Sequence, residues 1–164
     1  EHLLTHGFSH PGVIAYDTTL QHMQDRVNGY KQAMTEAGKV GLISESRVKE
    51  ANLHNAMGGV ISRMLAEGVD SLLFATNNIA TEALRVIKDK NIRIPEDLGI
   101  IGFDGGNAFE LFHVPVSYIR QPISLLAQKA VEIIMDEILM GEKMTHQVEV
   151  QGSLVITESS IKSC

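Results

Sequence analysis

Three runs within residues 71–122 decide the fold: Ser71-Leu72-Leu73-Phe74-Ala75-Thr76-Asn77, Leu98-Gly99-Ile100-Ile101-Gly102-Phe103-Asp104 and Ser117-Tyr118-Ile119-Arg120-Gln121-Pro122. The first two are short and almost wholly apolar, as expected of strands covered on both faces, and each closes on a polar side chain. Between them Ala80, Ala83, Leu84 and Ile87 recur at helical spacing, predicting a helix over 79–90. A strand, a helix and a further strand form a right-handed crossover and a parallel sheet. Open sheets of this kind hold ligands just beyond the carboxyl ends of their strands, which makes Asn77 and Asp104 the first candidate site residues.

The same alternation extends towards the amino terminus. Val13-Ile14-Ala15-Tyr16 is a strand ending at Asp17, and Met23, Val27, Tyr30, Met34 and Ala37 mark a helix over 20–37 closed by Gly38. Val40-Gly41-Leu42-Ile43 is the expected second strand, followed by a helix over 47–67. Gly58-Gly59 inside that helix costs about 1 kcal/mol per residue, so a kink or close packing is expected there. The opening residues Glu1 to Gly7 have the character of a helix end stopped by glycine.

Towards the carboxyl terminus, Ile94-Pro95-Glu96-Asp97 is a turn, 105–115 is irregular and 117–120 is extended. Ile123, Ala127, Ala130, Ile134 and Ile138 give one face of a long helix over 123–140, ended by Gly141. Residues 147–157 are extended, with Gly152 as a break or bulge. The expected fold class is α/β, a parallel sheet of about five strands with about five helices on both faces.

Composition narrows the function. With 164 residues, 44% of them hydrophobic, the chain can bury the core of one domain. A net charge of −6 without a Lys/Arg cluster argues against a nucleic-acid-binding surface, so contact with DNA would need another segment. No run approaches the ~20 apolar residues of a membrane span and no secretion signal opens the chain, which favours the cytoplasm. The single cysteine, Cys164, cannot build an internal disulfide framework and fits a reducing compartment.

Catalytic patterns are absent. His2, His6 and His10 keep a helical spacing, but the glutamate and third ligand of a zinc protease are lacking and Gly7 interrupts the helix, so no metal is expected. There is no Gly-x-Ser-x-Gly elbow and no phosphate-binding loop. Residues 102–106 are too poor in correctly spaced glycines for a dinucleotide, and Asp104 would repel its pyrophosphate, so no cofactor is expected. An enzyme using Asp104 as base with His113 nearby is a rival; binding without catalysis is the expectation. A hydroxylated ligand needs both donors and acceptors, and Asp17, Arg26, Asn77, Asp104 and Gln121 supply them near strand ends or early in a helix.

These residues also carry a resemblance. Phe74-Ala75-Thr76-Asn77-Asn78, the run from Arg93 to Asp104, Tyr118-Ile119-Arg120-Gln121-Pro122 and Arg26-Val27-Asn28-Gly29-Tyr30 closely resemble the effector-binding region of LacI/GalR bacterial transcriptional regulators, and 154–159 resembles its closing strand. The resemblance implies a two-lobed, periplasmic-binding-protein-like fold with the effector between the lobes. It also implies an N-terminal helix-turn-helix for operator DNA and a homodimer. On this view residues 1–164 are a partial effector-binding domain. The C-terminal lobe is mainly 11–120 and 147–164, and helix 123–140 belongs to an N-terminal lobe lying mostly outside this sequence. The effector is a small molecule, a sugar or sugar derivative, contacted by Arg26, Asn77, Asp104 and Gln121, with Asp17 in a loop that varies within the family. Gly105-Gly106 replace the family's usual second Asp and the residue after it, which permits unusual backbone angles. The alternative is a periplasmic-type sugar-binding protein of a transport system.

Overall fold

The computed structural model describes residues 1–140 and 146–162. After a single turn, α1 (His2–Thr5), the chain builds β1 (Pro11–Tyr16), α2 (Gln21–Glu36), β2 (Ser44–Val48), α3 (Leu53–Ala66), β3 (Ser71–Phe74) and α4 (Asn77–Asp89). It continues through β4 (Gly99–Phe103), α5 (Asn107–Leu111), β5 (Ser117–Arg120), α6 (Ile123–Met140) and β6 (Ser153–Val155). The strands form one sheet in the order β2-β1-β3-β4-β5-β6, parallel from β2 to β5, with β6 antiparallel at the edge.

Alternating side chains of the central strands feed two cores. Ile14, Leu72, Phe74 and Ile100 meet Met57, Ile61 and Met64 of α3 and Ile79, Ala83 and Ile87 of α4 on one face. Val13 and Ala15 meet Val27, Tyr30 and Met34 of α2 on the other. Tyr30 also ties α2 to two strands: its hydroxyl donates to the Pro11 carbonyl at 2.9 Å and accepts from the Ser44 amide at 2.9 Å. Helices therefore cover both faces, as the alternation of apolar runs implies.

Several boundaries differ from expectation. The apolar run at 40–43 is not a strand. Val40–Leu42 is a 3-10 turn, and the strand is the more polar Ser44–Val48. Being an edge strand, β2 buries Ser46 and Val48 while Glu45 and Arg47 stay outward in a charged group with Lys31, so it lacks the continuous apolar pattern of its neighbours. The expected helix over 47–67 starts only at Leu53, after a 3-10 turn at Glu50–Asn52. Gly58 and Gly59 face open space, so of the kink or close packing expected there the close packing is not found.

The last segment pairs only at Ser153–Val155, and in the antiparallel sense, so the sheet is not parallel throughout. Beyond β6 the turn Glu158–Ser160 is pinned by buried hydroxyls: Ser159 donates to the Ile100 carbonyl at 2.9 Å, and Ser117 lies 2.7 Å from Ser160. Gly141, the expected end of α6, and Cys164 lie outside the described residues. No helix among the described residues is long and apolar enough to cross a membrane.

Candidate functional site

Strand register brings the candidate residues to one rim. Ile14 pairs with Phe74, Leu73 with Ile101 and Phe103 with Ile119, so the loops after β1, β3, β4 and β5 open at the same edge of the sheet. From β1 the chain crosses to β2 on one side, and β3 lies on the other. The switch point of the topology thus falls between the carboxyl ends of β1 and β3, where such sheets have their crevice.

Asp104 follows β4 directly, its amide donating to the Ile119 carbonyl at 3.0 Å. Its φ is +59°, in the left-handed region that Asp tolerates better than most residues. The Gln121 side-chain amide donates to Asp104 Oδ1 at 2.6 Å, linking the loops after β4 and β5. Arg26 projects from α2 towards the same place. Its Nη1 donates to the Ala75 carbonyl at 2.7 Å, and its guanidinium carbon stands 3.6 Å from the centroid of the Phe103 ring. Burial pulls the Arg26 pKa below its ordinary value, and the charge of Asp104 pushes it back.

Asn77 opens α4, whose first turn is capped by Thr76 Oγ1 accepting from the Ile79 amide at 3.2 Å. The Asn77 Nδ2 lies 3.1 Å from where a Cβ on Gly106 would stand, so this side chain lies against the loop after Asp104, whereas Asn78 is exposed. Gly105 is needed for space rather than for backbone angle. A Cβ on Gly105 would lie 2.2 Å from the Tyr118 ring, and the positive φ belongs to Asp104 instead. Asp17 is exposed, with its amide donating to the Val48 carbonyl at 2.8 Å, and among the described residues its carboxylate joins none of the hydrogen bonds of this rim.

The structure therefore links Arg26 and Asp104 through burial and charge, Asp104 and Gln121 through a hydrogen bond, and Asn77 to the same loop by contact. Asp17 stands apart. Sequence reasoning missed Phe103, Thr76 and Tyr16. For Phe103 the available signal was its place as the last residue of β4. Among the described residues the Tyr16 hydroxyl, buried beside Thr76 and Asn78, closes no hydrogen bond, and burial pushes its pKa up. The exposed His113 ring lies against Phe112, with no hydrogen bond to Asp104 among the described residues. The same residues contain no cluster of potential metal ligands. An acceptor, a planar donor and an amide that does both, held together at a rim, can bind hydroxyl groups.

Comparison with known proteins agrees with the fold. Residues 1–160 match the family described as periplasmic binding protein-like domain. The chain is 28% identical over 163 residues to the HTH-type transcriptional repressor PurR of Pasteurella multocida, an alignment covering 97% of this chain and 48% of that protein. It is 30% identical over 125 residues to the HTH-type transcriptional regulator DegA of Bacillus subtilis, covering 75% of this chain and 36% of the relative. Among solved structures, a complex of the transcriptional regulator CelR with cellobiose superposes with a TM-score of 0.80 at 24% identity, covering 96% of this chain and 48% of that one. The lac repressor dimer bound to operator and the anti-inducer ONPF gives 0.78 at 20% identity, covering 98% and 56%. The chain spans about half the length of the curated relatives it matches. It belongs to the periplasmic binding protein-like domain family, in the form that LacI/GalR-type transcriptional regulators carry.

Proposed function

We propose that this chain is the ligand-sensing portion of a LacI/GalR-type regulator and that its effector is a carbohydrate or carbohydrate derivative. Arg26, Asn77, Asp104 and Gln121 contact it, with Asp17 at the margin. In the longer protein a helix-turn-helix reaches operator DNA in the cytoplasm, and two copies form a dimer. Binding makes no bond. It favours one orientation of two lobes, and the response at DNA follows from that differential affinity.

The observation that carries this reading is the strand-end rim at which Gln121 bonds Asp104 at 2.6 Å while Arg26, held by the Ala75 carbonyl and the Phe103 ring, feels the charge of Asp104. The names of the relatives, a transcriptional repressor and a transcriptional regulator, favour regulation over transport. The domain division is supported by α6, whose apolar side chains lie largely in the open, as expected of a helix whose neighbours belong to a second lobe.

Thermal-shift screening of the longer protein against mono- and disaccharides, cellobiose included, followed by calorimetry, tests the assignment. Arg26→Ala and Asp104→Asn should each weaken the bound sugar by about 1.5–3 kcal/mol, the scale of a hydrogen bond to a charged group. Binding of no carbohydrate, or unchanged affinity in both variants, would defeat it.

A further inference from the structure

Arg26 carries one of the longest side chains, and a ligand that had to freeze it would lose affinity to ordering. Two contacts already restrict it. The bond from Nη1 to the Ala75 carbonyl, 2.7 Å long, fixes one point of the guanidinium, and the Phe103 ring, its centroid 3.6 Å from the guanidinium carbon, covers it. The ring is itself held by the pleat of β4. Ile101 and Phe103 share one face, while Gly102 turns to the other, where a Cβ would lie 2.2 Å from Phe109. Phe103 thus ends the strand beside α2, one residue before Asp104. Its negative ring face also compensates a cation that has lost part of its water.

We propose that Phe103 is the positioning residue of this site: its ring holds the Arg26 guanidinium flat, so that the donors not engaged by Ala75 are presented in a set orientation beside Asp104. The importance of this role rests on the binding reading above, but its test needs no ligand. An aromatic ring is required at 103, so Tyr serves and an aliphatic side chain does not.

Nuclear magnetic resonance of the 164-residue chain reads the order of Arg26 directly. Nuclear Overhauser contacts should join the Arg26 δ-protons to the Phe103 ring in the unsubstituted protein. In Phe103→Leu the Arg26 Nε proton should exchange with solvent about five-fold faster, the scale of a cation–π contact. Amide protection at Ile101 and Ile119 should stay unchanged, and Phe103→Tyr should restore the slow rate. Absence of the Overhauser contacts overturns the proposal even if the leucine variant does not fold. So does an unchanged Nε exchange rate in a folded Phe103→Leu protein, or a Tyr variant as fast as Leu. Because no carbohydrate is added, failure here and failure to bind sugar are separate results.

Discussion

Asp104 illustrates how single positions divide into backbone and side-chain roles. Its left-handed φ of +59° suits Asp, Asn or Gly and penalises other side chains, so Asp104→Ala would mix backbone strain with the lost carboxylate. Asp104→Asn removes the charge and keeps the conformation, and is the cleaner probe. Glycines nearby answer a different need, that of close approach. A Cβ at position 102 would meet the buried Phe109 ring at 2.2 Å, so Gly102→Ala should destabilise the chain by about 1–3 kcal/mol through overpacking. Urea unfolding measures this, and a midpoint equal to that of the unsubstituted chain would contradict it.

At the scale of elements, the turn before β4 shows how local charge pairing fixes a connection. Arg93 grips Asp97 with Nε at 2.8 Å, Nη2 at 2.5 Å and its own amide at 3.0 Å. The guanidinium bond holds the Asp97 carboxyl down from 3.8 to about 2. A carboxyl with a lowered folded pKa stabilises the fold above its unfolded value, and that contribution disappears as pH falls through the folded one. The urea midpoints of the unsubstituted chain and Asp97→Asn should therefore differ above pH 4 and converge as the pH falls to about 2. A constant gap over that window would show that Asp97 acts otherwise. Elements differ in how openly the sequence announces them. Central strands β1, β3 and β4 are covered on both faces and carry apolar runs, whereas edge strand β2 is half covered and its polar sequence hides it.

For the whole molecule, apolar surface among the described residues stands open on α6, and a partly open apolar hollow lies between α2 and the sheet. On α6, Ile134 is 55% and Ile138 69% exposed. Across the α2 face, Leu73, Ile101, Phe103, Ile119 and Leu154 line an open hollow of about 370 Å³ next to Arg26. Patches of this kind mark interaction surfaces. If α6 belongs to a second lobe, Ile134→Glu in this chain should change stability by less than about 0.5 kcal/mol and reduce hydrophobic-dye binding. Ile61→Glu, in the core between α3 and the sheet, should unfold it, because an unpaired buried charge costs several kcal/mol. A fall in the thermal midpoint of Ile134→Glu comparable to that of Ile61→Glu would place α6 in the core of this lobe. A monodisperse monomer that binds no dye would likewise count against an uncovered surface.

Sequence alone determined the α/β class, the order of most elements and the polar residues at the strand ends, because hydrophobic periodicity and turn chemistry are local properties written residue by residue. Tertiary structure decided which of those polar residues meet. Asp17 and Asp104 both follow apolar strands and look equivalent in the chain, yet only Asp104 is bonded to Gln121 and neighbours Arg26. The place of Phe103 beneath the guanidinium, the space that excludes a side chain at Gly105 and the edge position of β2 were decided there as well. Each depends on the register of strands and the packing of α2 across the sheet, contacts between residues far apart in the chain that no local pattern encodes.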